Sequence, residues 1–168
     1  MDPNEALSAI AQVAIGILGF TAVVAVLGRR SRGDWNKDEL IAFRILLETS
    51  ATALFISFLP GLLGMTVASL DTVWRMSNAV LGAIHLTFFA AFLWRVRGSP
   101  AEPTFGQRLL SLSAVGIIVA HFLTAAGAIP WAALIFIVGL LQQLYVAVHN
   151  FVLLLFPVSP LQDDGGAA

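Results

Sequence analysis

Apolar residues along this chain do not alternate with polar ones. They run in five long blocks, divided by short breaks rich in charge, glycine or proline. The blocks cover about 6–28, 39–68, 74–96, 108–127 and 131–156. A helix needs about 20 mostly apolar residues to cross a bilayer, and each block supplies them. Arg29 and Arg30 stop the first, and the second begins near Glu39 and runs past Pro60. Barrel strands would alternate apolar and polar positions, whereas helices satisfy every backbone polar group internally. The pattern therefore predicts an all-α integral membrane protein: one compact bundle of five transmembrane helices, a single membrane domain over 1–168. Four spans would result if the break Gly127-Ala128-Ile129-Pro130 were only a kink or a re-entrant turn.

Composition agrees. Of 168 residues, 58% are hydrophobic and 11% charged, against about a quarter charged in a soluble domain. A net charge of -1 with no isolated basic patch argues against nucleic-acid binding. The absence of cysteine excludes disulfides, thiolate metal sites and a cysteine nucleophile. Asp2 and Glu5 stand where a signal peptide would carry basic residues, so the first helix is expected to persist as a span.

Lys and Arg near span ends set orientation. Arg29, Arg30, Arg32 and Lys37 fall in the first loop, and Arg95, Arg97 and Arg108 in the third. The second loop holds only Arg75 and the fourth holds none. This predicts an N-out, C-in topology, with Asp163 and Asp164 in the inner tail carrying little weight. Trp74 and Trp131 would then anchor outer span ends and Trp94 an inner one, with Trp35 in an inner loop. Eight Arg to one Lys suggests a GC-rich bacterial genome, and hence a multi-pass protein of the bacterial cytoplasmic (inner) membrane.

The third and fifth blocks align on their tryptophans. Trp74 falls on Trp131, Gly82 on Gly139, His85 on Gln142, Phe88 on Tyr145 and Ala90 on Ala147. The second and fourth blocks share Leu-Leu and Ser-Ala fragments (Leu46-Leu47 with Leu109-Leu110, Ser50-Ala51 with Ser113-Ala114). A parallel repeat of two hairpins, as in some transporters, would explain this. So would chance matching between apolar helices.

Ionisable residues inside a span are expensive and mark functional candidates. At about 1.5 Å of rise per residue, Arg44 lies about 6–7 Å and Glu48 about 12–13 Å from the cytoplasmic face. His85 comes out at about 13 Å, and Gln142 and Gln143 at about 12–13 Å, counted down from the outer tryptophans through a roughly 30 Å core. One polar layer over three helices is the expectation. His121 is placed about 20 Å from the same face. His149 and Asn150 fall near the inner interface.

Arg44 and Glu48, four apart, share a helix face and can pair as packing glue. If Arg44 instead snorkels outward, Glu48 is free to meet His85, and a carboxylate and an imidazole at one depth can relay a proton or bind a cation. Thr52 and its neighbours Thr49 and Ser50 add hydroxyls that bond across helices or line a polar path. On the first helix Gly16, Gly19, Ala11, Ala14 and Ala22 form a small face suited to close packing.

Metalloprotease, nucleophile-elbow, P-loop and dinucleotide motifs are absent, which argues against an enzyme. Histidines alone give weak support to haem, and no cofactor or metal is expected. Two functions survive. One is an oligomeric ion channel or proton/ion-coupled transporter using Glu48, His85, Arg44, Gln142, Gln143 and Thr52. The other is a non-catalytic accessory or assembly subunit of a larger membrane complex. The partners implied are the lipid bilayer and either further copies of the chain or another membrane protein.

Overall fold

The computed structural model describes residues 2–27, 37–97 and 105–155. The expected loop charges Arg29, Arg30 and Arg32, with Trp35, and the tail residues Asp163 and Asp164 lie outside these. The described residues form six helices and no strand: α1 (Pro3–Leu27), α2 (Lys37–Ser57), α3 (Leu59–Gly64), α4 (Leu70–Val96), α5 (Phe105–Ala125) and α6 (Ala132–Leu155). Among them five stretches are long and apolar enough to cross a membrane, α2 and α3 together counting as one, Glu39–Gly64.

Local chemistry sets the boundaries. Asp2 accepts the backbone N–H of Asn4 at 3.0 Å, and Pro3 follows at a position whose N–H would be unpaired in any case. Pro60 lacks the N–H that would continue α2 and crowds the preceding turn, so the second span breaks into α2 and α3. That span ends at Gly64 rather than near residue 68. Ser69 then starts α4 by accepting the N–H of Thr72 at 3.4 Å. α4 thus begins four residues ahead of Trp74.

The same kind of chemistry decides between four span-length helices and five. At the end of α5, Gly127 adopts φ +81°. Its N–H reaches the Thr124 carbonyl and that of Ala128 reaches Leu123, both at 2.9 Å, a Schellman ending. Arg75 donates from Nε to the carbonyl of Ala125 at 3.2 Å, satisfying another end-of-helix acceptor. The break is therefore a complete turn between two long helices. Arg75 serves there as a cap.

α6 is the central helix. It packs against α1, α2, α4 and α5, most extensively against α2. Its buried face carries Ala132, Phe136, Gly139, Leu140, Gln143, Leu144, Ala147, Asn150 and Leu154, the three- and four-residue spacing of a helix seam. The main apolar core joins Leu7, Ile10 and Ala14 of α1, Ala53 of α2, Trp74 and Leu81 of α4, and Phe136 and Leu140 of α6.

Two expectations change here. Trp74 is no interfacial anchor: it is 9% exposed and meets Phe136 edge-on at 5.9 Å, while Trp131 is 67% exposed. The repeat of two hairpins is also absent from the packing. α4 pairs along α5, and α2 pairs along α1 and α6 rather than along α4. On α1, Ala11 and Ala14 are buried, whereas Gly16, Gly19 and Ala22 face outward.

Candidate functional site

Asn78, Gly82 and His85 are spaced by four and three residues, which puts them on one face of α4. That face meets His121 of α5, and Gly139 of α6 closes the other side. A Cβ on Gly82 would lie 2.9 Å from the Cβ of His121, and one on Gly139 would lie 2.3 Å from His121 Nε2. Both glycines are there because an imidazole fills the space that a side chain would need. The two glycines matched by sequence thus flank a single histidine.

Hydrogen bonds fix the orientation of that histidine. The amide nitrogen of Asn78 donates to the carbonyls of Trp74 and Ala132, each at 2.8 Å, tying α4 to the start of α6. Two carbonyl partners identify that atom as the NH2 end. Asn78 Oδ1 is therefore an acceptor, and it lies 2.7 Å from His121 Nδ1. Nδ1 must carry the hydrogen. In the neutral ring this leaves Nε2 with its lone pair, without a hydrogen-bond partner, facing Gly139.

His85 stacks on His121, with ring centroids 5.2 Å apart and planes 17° apart. It is 7% exposed, and neither ring nitrogen completes a hydrogen bond of normal geometry, although the backbone of Leu81, one turn back, is near enough to interact with the ring. Thr124 Oγ1 and Gln143 Nε2 are likewise buried and unpartnered. Counting rise along each helix puts His85 about 13 Å and His121 about 20 Å from the same face. Helical side chains lean toward their own N-terminus, and α4 and α5 enter the bundle from opposite ends. The leaning side chains therefore approach one another and close the gap.

The other residues of the expected layer go elsewhere. Arg44 Nε donates to Glu48 Oε1 on the outward face of α2, where the two side chains are 66% and 33% exposed. The Thr52 hydroxyl donates to the Glu48 carbonyl at 2.7 Å, and Thr49 donates to Ile45 at 2.8 Å, so both bond within their own helix. Ser50 Oγ is buried without a partner. Gln142 and Gln143, neighbours on α6, diverge. Gln142 reaches Ser113 of α5 at 3.4 Å, while Gln143 is buried. The expected meeting of Glu48 with His85 does not occur: Glu48 pairs with Arg44, and His85 pairs by stacking with His121.

Sequence reasoning passed over Asn78 and set His121 apart. The available signal was the spacing Asn78–Gly82–His85, a polar–small–polar face on an otherwise apolar helix.

Chemically, His85 is the available group. An imidazole whose nitrogens are not tied up in full hydrogen bonds can accept a proton on one and release it from the other. Stacked rings do not direct two nitrogens at one point between them, so the pair is unsuited to axial ligation of a haem iron. Among the described residues, no group of three or more His, Asp or Glu side chains is arranged to hold a metal. No protein family, curated protein or solved structure matches this chain.

Proposed function

We propose that this chain is a small multi-pass protein of the bacterial cytoplasmic membrane, N-terminus out and C-terminus in, that passes protons across the bilayer with His85 as the carrier. The observation that carries the proposal is the state of His85: buried deep in a span-length helix, with two ring nitrogens that complete no hydrogen bond of normal geometry and only a loose approach to the backbone of Leu81. A buried polar atom without a partner is costly. Water that visits the site would lower that cost and supply the chain along which a proton moves. His121, held by Asn78, would position the ring on which His85 stacks. Gln143 and Thr124 would offer further hydrogen bonds to such water.

The test is proton flux into proteoliposomes under an imposed pH gradient, followed with an entrapped indicator. Wild type should conduct, and His85→Phe should not, while its helical signal and melting temperature stay close to wild type. Equal flux in the two overturns the role of His85. No flux in well-folded wild type overturns proton passage and favours the accessory-subunit role, for which a co-purifying membrane partner is the evidence to seek.

A further inference from the structure

One charged pair lies outside the bundle. Leu40, Arg44, Glu48, Thr52 and Phe55 follow one another at four- and three-residue steps, which is a single face of α2. Leu40 is 51%, Arg44 66% and Phe55 69% exposed, and Phe58 beyond them is 54% exposed, so none of the other described helices covers this face. Glu48 is about 13 Å into the span that begins at Glu39. A short carboxylate cannot reach an interface from that depth. Arg44 does not lead outward either, since its Nε bonds Glu48, one turn deeper.

Each member of the pair is only half used. Among the described residues, the Arg44 guanidinium hydrogen-bonds through Nε alone, and the Glu48 carboxylate through Oε1 alone. The guanidinium therefore keeps Nη donors, and the carboxylate keeps Oε2 as an acceptor, on a face that lipid tails cannot satisfy.

We infer that α2 is a homodimer interface, in which Arg44 of each copy also engages Glu48 of a second copy. The patch complements itself, because it offers a free donor set and a free acceptor one helical turn apart. A two-fold axis along the bilayer normal relates copies inserted in the same orientation and brings both α2 helices together at one depth. Each guanidinium then touches two carboxylates. Leu40, Phe55 and Phe58 would supply apolar contact above and below the charges. A different protein would need its own matching pair at this depth, whereas a second copy carries it by construction. The inference rests on α2 crossing a bilayer, not on proton passage.

The natural chain has no cysteine, which makes the test clean. Thr52→Cys and Phe55→Cys would each be oxidised in native membranes beside Val13→Cys, an exposed position on α1. Disulfide-linked dimer of twice 17.9 kDa is expected from the α2 positions and not from Val13. Adding Arg44→Ala or Glu48→Gln should cut the dimer yield several-fold while the monomer's melting temperature in detergent holds, because the pair is exposed in the monomer. Absence of dimer from both α2 positions overturns the inference. So does equal dimer from Val13, which would report random collision, or an adduct of another mass, which would report a different partner.

Discussion

His121 donates its Nδ1 hydrogen to Asn78 Oδ1 across 2.7 Å, and this one bond joins α5 to a residue that already ties α4 to α6. Three helices meet in one amide. Asn78→Ala would leave the Nδ1 hydrogen of His121 without its partner and remove a second bond from the Ala132 carbonyl, which keeps its place in the α6 ladder. One buried group stranded costs about 1–3 kcal/mol, so a loss of about 1–3 kcal/mol is expected on denaturant unfolding in detergent. The same bond predicts a signature that unfolding cannot give. In the 15N spectrum of the wild type at neutral pH, His121 should be the Nδ1-protonated tautomer, and Asn78→Ala should abolish that preference. An Nε2-protonated His121 in the wild type would contradict the arrangement.

Gly139 and Gly82 make the second prediction. Gly139→Ala drives a Cβ to 2.3 Å from Nε2 and 2.6 Å from Cε1 of a ring that Asn78 prevents from turning. Gly82→Ala drives one to 2.9 Å from the Cβ of His121, an atom fixed to the α5 backbone. Overpacking of this kind costs about 1–3 kcal/mol, with the tighter Gly139 site expected at the top of that range. Removing the ring separates the two. In a His121→Ala background the Gly139 penalty should largely vanish, because its clash is with ring atoms. The Gly82 penalty should persist, because its nearest clash is with a Cβ that alanine retains. A double-mutant cycle on melting free energies measures both.

Much of the fold could be read from the apolar blocks. Their lengths and breaks give five span-length helices, and Pro60 marks the interruption of the second. Helix rotation could not be read, because nearly every face of α4 and α5 is apolar and no stripe marks the inside. Depth misled for a different reason. Counting Cα rise treats His85 and His121 as points on their axes, yet their side chains lean toward each other from helices of opposite direction. Glu48 was drawn toward His85 by depth alone, while its partner was four residues away on the same face. Trp74 illustrates the limit of an anchor rule: Ser69 starts the helix early enough to carry the ring into the core.

The two tryptophans therefore give the third prediction. Trp74→Ala removes a ring buried against Phe136, and large-to-small changes of this kind cost about 3–5 kcal/mol. Trp131→Ala removes an exposed ring and should change stability by no more than about 0.5 kcal/mol. Comparable losses at the two positions in one detergent would show that Trp74 is not the core residue described.

The turn between α5 and α6 supplies the last. Gly127 holds φ +81°, where a Cβ strains the backbone by about 1–2 kcal/mol. A Cβ there would also stand 2.8 Å from Arg75 Nη2 and 2.9 Å from Cζ, so Gly127→Ala must also displace the guanidinium that caps Ala125. Losing that bond to a helix-end carbonyl adds about 1 kcal/mol. Arg75→Ala alone should show only the second cost, and Arg75→Ala with Gly127→Ala should cost less than the sum of the singles, because the clash and the lost cap are then counted once. The backbone strain remains in the double variant, which should stay about 1–2 kcal/mol below Arg75→Ala. Strict additivity would mean that Arg75 does not lie over the turn.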